Sequence, residues 1–208
     1  MNGIIDLSLW QLGAAYVFVL ILLVIVRIKG ISREKEILIA SVRMTLQLVL
    51  TGYLLVAVFG HPSPLYTVLI LIAMELFAIF TIIRRTKAKL SIQLKKVIAL
   101  SMVSGTVTCL LYFLFVVVRI SPWYDPQYFI PIAGMIIGNS MTGISLGVAR
   151  LADGMQTKKH LVEGALMLGA TPKMAAKTIV DHAFDAAILP TINSMVGMGI
   201  VILPGMMT

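Results

Sequence analysis

Charge and cysteine are what this 208-residue sequence has least of. Only 12% of its residues are Asp, Glu, Lys or Arg, against about 25% in an ordinary soluble domain, and that excludes a water-facing globular surface. The single cysteine, Cys109, lies within an apolar run, so no intrachain disulfide can form and no zinc-type site built on several cysteines is available. There is no G-x-x-x-x-G-K-S/T loop, so the chain does not cradle ATP in the usual way. No Ser-His-Asp set, Cys-His pair or H-E-x-x-H helix is present either, and an enzyme of those types is not expected.

What is abundant is apolar sequence. Hydrophobic residues make up 59% of the chain, with a mean hydropathy of +0.99. Apolar runs at about 10–26, 37–59, 65–83, 97–118, 129–148 and 186–203 each approach the ~20 residues that a bilayer core requires. They predict an all-α polytopic membrane protein of six transmembrane helices, folded as one permease-sized domain over 1–208. The first run lacks a basic n-region and a small-residue cleavage site, and reads as an uncleaved span. The chain stops directly after its last run, at Leu203-Pro204-Gly205-Met206-Met207-Thr208 and without a polar tail. A seventh span is expected to be missing beyond that point.

The 17 basic residues outnumber nine acidic ones, yet they sit in short loops between apolar runs, which argues for membrane topology and against a nucleic-acid partner. Arg27, Lys29, Arg33 and Lys35 follow the first run. Arg84, Arg85, Lys87, Lys89, Lys95 and Lys96 follow the third, and Arg150, Lys158, Lys159, Lys173 and Lys177 follow the fifth. The alternate loops carry only Arg119. The positive-inside rule therefore predicts an outward N-terminus and cytoplasmic loops at 27–36, 84–96 and 149–185.

The last of these loops is too long and too patterned for a tether. Leu161, Ala165 and Leu168 recur at helical spacing, and Gly169 can end that helix in the left-handed conformation. Thr171 then supplies an N-cap and Pro172 the first helical position of a second helix. Met174, Ala175 and Ile179 lie along it with Lys173 and Lys177, ahead of Asp181, His182 and Asp185. Such a pair of helices serves either as a docking element for a cytoplasmic partner or as an amphipathic connector lying on membrane lipid.

Four segments now become recognisable. Residues 131–141 (Pro-Ile-Ala-Gly-Met-Ile-Ile-Gly-Asn-Ser-Met), Leu168-Gly169-Ala170-Thr171-Pro172, Leu189-Pro190-Thr191-Ile192-Asn193-Ser194 and Leu203-Pro204-Gly205-Met206-Met207 together resemble the FetB family of ABC transporter permeases. The resemblance covers nearly the whole chain in order. It implies a permease of the bacterial inner membrane that exports iron, with plant relatives linked to aluminium tolerance. It also implies that ATP and Mg are bound by a separate cytoplasmic ATPase subunit, that the permease pairs as a homodimer, and that this chain binds no cofactor of its own. Family members continue with another hydrophobic segment past the position of Thr208. Glu163-Gly164-Ala165 followed by Gly169 is similar to the loop with which importer-type ABC permeases engage their ATPase, so the resemblance assigns coupling to Glu163, Gly164, Ala165, Leu168, Gly169, Ala170, Thr171 and Pro172. Two departures stand out: Gly164 replaces the motif's first Ala, and Asp181-His182 stands where Leu-Pro belongs.

Arg43 and Glu75 are the only charges well inside apolar runs, and each costs roughly 2.5 kcal/mol or more there. At 1.5 Å per residue they lie about 9 and 12 Å from the cytoplasmic ends of their runs, and Gln47 shares the helical face of Arg43. A structural ion pair is one reading. The other makes Glu75 a pathway carboxylate and the one candidate metal ligand, because Fe(II) accepts oxygen donors. Gly134, Gly138, Gly143 and Gly147 form two small-xxx-small pairs, suited to helix packing within the chain or to a dimer interface. Asn139, Ser140, Asn193 and Ser194 place polar groups in the fifth and sixth runs, where they need protein partners or a wet cavity. Those two runs, interrupted by Gly, Pro and polar residues, are the expected pathway. The 13 methionines, Met195 and Met198 among them, read as packing residues, since thioethers select Cu(I). His160 and His182 read as surface histidines. A self-sufficient secondary transporter or channel using Arg43 and Glu75, a permease for another small substrate, and a non-transporting scaffold are the alternatives.

Overall fold

A computed structural model of the chain describes residues 9–30, 32–60, 63–86, 90–119 and 122–197. No strand occurs among the described residues, which form seven α-helices. Backbone polar groups in lipid must be satisfied within their own segment, and a helix does this. In chain order the helices are α1 (Leu9–Ile28), α2 (Glu34–Gly60), α3 (Pro64–Arg85), α4 (Ile92–Tyr112), α5 (Pro126–Thr157), α6 (Lys159–Met167) and α7 (Pro172–Gly197). A π-helical segment, Phe113–Val118, continues α4.

Four of these are long and apolar enough to cross a membrane: α2, α3, α4 with its π-helical continuation, and α5. The apolar stretch in α1, Tyr16–Ile28, is shorter. The sixth apolar run begins inside α7, and its end lies outside the described residues, as does the segment 203–208 on which a further span was expected. The chain is thus an all-helical, multi-pass membrane protein.

It divides into two compact units, Met1–Gly60 and His61–Thr208. In the first, α1 packs on α2, and the Tyr16 hydroxyl is hydrogen-bonded to Thr45 Oγ1. In the second, α5 is the central helix, packing on α3, α4 and α7. Its core joins Ala78 and Ile82 of α3, Ile98, Met102 and Leu110 of α4, Leu114, and Phe129, Ala133 and Ile137 of α5. The starts of these helices follow from local chemistry. Pro64 and Pro126 occupy first-turn positions, where a missing N–H costs nothing. Ser91 Oγ accepts from the Leu94 N–H at 3.2 Å, and an Asp125 carboxylate oxygen accepts from the Gln127 N–H at 3.0 Å. Arg84 and Arg85 close α3, complementing its negative dipole end.

Two sequence expectations are corrected here. The fifth and sixth runs were read as interrupted, but α5 passes unbroken through Pro131, Asn139 and Ser140, and α7 through Pro190 and Asn193 to Gly197. Polar residues depress hydropathy without breaking a helix when their hydroxyls bond back to the preceding turn. Thr142 does so to the Gly138 carbonyl (3.0 Å) and Ser194 to that of Pro190 (2.9 Å). The connection at 149–185 does carry the two expected helices, α6 and the start of α7, but its first part is not loop. Helix α5 continues through Arg150 to Thr157, about 48 Å in all at 1.5 Å per residue, well beyond a hydrocarbon core of ~30 Å.

At the other end of α6 the chain turns through a Schellman motif. The Ala170 N–H donates to the Ala165 carbonyl and the Gly169 N–H to that of Leu166, both at 3.0 Å, with Gly169 at φ +90°. Helix α7 then starts at Pro172, with Thr171 Oγ1 accepting from the Met174 N–H at 3.4 Å. It runs back along α5 at very close range. A Cβ added at Gly143 would lie 2.9 Å from the Ala187 carbonyl oxygen, at Gly147 3.0 Å from Ala187 Cβ, and at Gly154 2.6 Å from Ile179 Cγ2. Numbers rise along α5 as they fall along α7, so the two helices are antiparallel.

Candidate functional site

An open cleft of about 480 Å³ lies between α4, α5 and α7. On α4 its wall is Ser101, Met102, Gly105, Thr106 and Cys109, on α5 it includes Asn139, Ser140 and Gly143, and on α7 it includes Ala187, Ile188 and Thr191. Small or polar residues every turn of α4 (101, 105, 109) leave room that aliphatic side chains would fill. Four hydroxyls, an amide and a thiol line a hollow between α7 and two helices long and apolar enough to cross a membrane, and lipid chains cannot hydrogen-bond to them. Water or a polar solute can. A slightly larger hollow of about 510 Å³ lies between α1 and α2, but it lacks this character. Its wall is mainly aliphatic, and its hydroxyls are satisfied, Ser41 by the Ile37 carbonyl and Thr45 by that of Ser41, both at 3.0 Å.

Thr106 connects the cleft to the most buried acidic side chain described. Glu75 lies on the same inward stripe of α3 as Thr67, Ala78 and Ile82 and is 5% exposed. Its Oε1 accepts a hydrogen bond from Thr106 Oγ1, while Oε2 has no hydrogen-bond partner among the described residues. Thr106 Oγ1 also stands 2.7 Å from the Met102 carbonyl oxygen. With the Val103 carbonyl oxygen at 3.4 Å as well, a single hydroxyl hydrogen faces three acceptors.

The residues singled out from sequence separate into several places. Asn139 and Ser140 line the cleft; Asn193 and Ser194 do not, although Thr191, one turn of α7 earlier, does. Arg43 and Gln47 stand one turn apart on α2, in the first unit, whereas Glu75 belongs to the second. Gly143 and Gly147 face α7. Gly134 meets only the Met74 methyl, at 3.3 Å from an added Cβ, and Gly138 has open space. Gly154, missed in sequence, makes a still closer contact with α7, and its place seven residues after Gly147 on one helical face was the available signal. Ser101, Thr106 and Cys109 were also missed, and the small-residue stripe of α4 would have revealed them. No group of three or more His, Cys, Asp or Glu occurs among the described residues, and Met198 lies outside them.

A second feature is the turn between α6 and α7. Met167 and Leu168 are 87% and 91% exposed at its tip. Glu163 is exposed and pairs with Lys159 at 3.5 Å one turn away, a surface contact of small energetic weight. Gly164 is half-buried and open on its Cα side.

Comparison with known proteins places these features in a family. The model of the Uncharacterised protein family UPF0014 matches residues 9–208. The chain is 37% identical over 180 residues to UPF0014 membrane protein slr1647 of Synechocystis, covering 86% of this chain and 69% of that protein. It is 34% identical over 196 residues to Protein ALUMINUM SENSITIVE 3 of Arabidopsis thaliana, covering 94% and 70%. With the Probable iron export permease protein FetB of Escherichia coli it shares 29% identity over 198 residues, covering 95% and 74%. No solved structure matches. This chain belongs to the UPF0014 family of membrane proteins, with FetB and ALUMINUM SENSITIVE 3 among its relatives.

Proposed function

We propose that the chain is the membrane permease subunit of an ABC transporter, exporting iron or another metal cation from the cytoplasm with ATP hydrolysed by a separate subunit. The relative named as an iron export permease supports the transport class. The observation that carries the coupling role is the α6–α7 turn. Two large apolar side chains, Met167 and Leu168, stand almost fully exposed at the tip of a turn closed by two hydrogen bonds. An ordered apolar tip of this kind suits insertion into a partner's groove.

The mechanism follows from packing. Helix α7 leaves the turn at Pro172 and reaches the cleft at Ala187 and Thr191, about 23 and 29 Å along the helix axis at 1.5 Å per residue. Because its backbone is held against Gly143 and Gly147, a push on the turn moves α7 as a rod along α5 and changes the width of the cleft. In this reading there are six spans, an outward N-terminus, and cytoplasmic positions for 27–36, 84–96 and the α6–α7 turn. Two permeases pair as a homodimer, since ATP held between two ATPases needs two docking turns.

Affinity purification of the chain from its own host membrane, with bound proteins identified by mass spectrometry, tests the proposal. An ATP-binding subunit recovered with the unaltered chain and lost with Leu168→Asp supports it. Its absence from an otherwise intact membrane complex favours the second reading, an ion-coupled transporter working alone. That reading draws on the buried Glu75.

A further inference from the structure

Glu75 is the one acidic residue inside an apolar run of this sequence, and α3 turns it inward rather than toward lipid. Its two oxygens stand differently: Oε1 takes the Thr106 hydroxyl and Oε2 takes nothing among the described residues. A buried carboxyl group with an oxygen left over is unfavourable unless something with positive charge or a hydrogen completes it. Thr106, which completes half of it, is also part of the cleft wall.

We propose that Glu75 and Thr106 form the recognition point for a divalent metal cation in the cleft between α4, α5 and α7. The inference rests on the reading of the chain as a cation permease and deepens it to particular ligands. Glu75, which stands behind Thr106 rather than on the cleft wall, supplies the negative charge, while the oxygens of Thr106, Asn139 and Ser140 on the wall replace part of the cation's hydration shell. Thr106 is suited to the exchange because it has a second acceptor. With its hydrogen turned wholly to the Met102 carbonyl, 2.7 Å away, the lone pairs of Thr106 Oγ1 and the Glu75 Oε1 it had held become available to a metal without leaving the hydroxyl hydrogen unsatisfied.

The donor set defines the class. Carboxylate, hydroxyl and amide oxygens select hard and borderline divalent ions such as Mg(II), Mn(II) and Fe(II) over Cu(I). One carboxylate is few for a resident ion, and no larger ligand cluster occurs among the described residues. A transported ion must bind well enough to enter and weakly enough to leave, and a single-carboxylate site meets both needs.

The test uses the full chain in detergent, without ATP or any partner. Dicyclohexylcarbodiimide modifies carboxyl groups in apolar surroundings, and mass spectrometry locates the adduct. The proposal expects modification at Glu75, slowed at least tenfold by Mn(II), with the slowing retained in Cys109→Ser. Modification of Glu75 at an unchanged rate in Mn(II), or slowing that disappears in Cys109→Ser, overturns it. Mn(II) binding read by electron paramagnetic resonance is the second measurement: binding to the unaltered chain and at least tenfold weaker binding to Glu75→Gln support the site, and equal binding to both, or none to the unaltered chain, overturns it. Loss of the ATPase partner from the purification above, with Mn(II) protection intact, sinks the ABC reading and leaves this site standing.

Discussion

The contact between α5 and α7 yields a pair of substitutions with opposite expected signs. At Gly143 an added Cβ would sit 2.9 Å from the Ala187 carbonyl oxygen, so α7 must retreat by several tenths of an ångström, against backbone that cannot rotate away. Overpacking of this kind costs about 1–3 kcal/mol, and the better helix propensity of Ala returns roughly 0.8–1.0 kcal/mol of it. Gly143→Ala is therefore expected to destabilise by up to about 2 kcal/mol. At Gly138, five residues earlier in the same helix, nothing lies within 4 Å of an added Cβ, so the propensity gain stands alone and Gly138→Ala stabilises by up to about 1 kcal/mol. At roughly 2–4 °C per kcal/mol for a chain of this size, the two variants should separate by several degrees in thermal unfolding in detergent, followed by fluorescence of Trp10 and Trp123. Equal melting temperatures for the two, or a lower one for Gly138→Ala, would refute the reasoning that α7 rests on the backbone of α5 at Gly143.

Other outcomes follow from local chemistry. Asp125→Ala removes the acceptor for the Gln127 N–H at the start of α5 and should cost about 1 kcal/mol, with Asp125→Asn near neutral, in the same unfolding measurement. Gly169→Ala places a Cβ at φ +90° and should cost about 1–2 kcal/mol. Leu168→Asp changes a side chain that touches little, so its melting temperature should stay within about 0.5 kcal/mol equivalent of the parent, while recovery of an ATPase subunit is lost.

Much of the helical plan was readable because lipid burial leaves long apolar runs, and the runs that became α2, α3 and α4 show it most plainly. The break at Gly169 was readable for a different reason: a left-handed C′ residue, a threonine cap and a first-turn proline each carry their own local signal. Length misled where composition changed without the backbone changing. Arg150 to Thr157 reads as loop because it turns polar, but α5 simply runs on past the apolar zone. Asn139 and Pro190 read as breaks because they lower hydropathy, although each sits in continuous helix. The candidate site was half legible. Glu75 stood out as a charge among apolar residues, yet its partner Thr106 is an ordinary threonine until α3 and α4 are side by side. Gly154 took its meaning from Ile179, a contact between residues 25 apart that no local pattern encodes.

The central claim is ATP-driven movement of a metal cation through this chain, and inverted membrane vesicles, with the cytoplasmic face outward, test it most directly. Vesicles holding the chain and its co-purifying ATPase should accumulate Mn(II) or Fe(II) when ATP is added. They should fail to do so with Leu168→Asp, and accumulation should persist after the proton gradient is collapsed. Accumulation that needs no ATP, survives Leu168→Asp and vanishes with the gradient would contradict the account and identify a transporter that works alone.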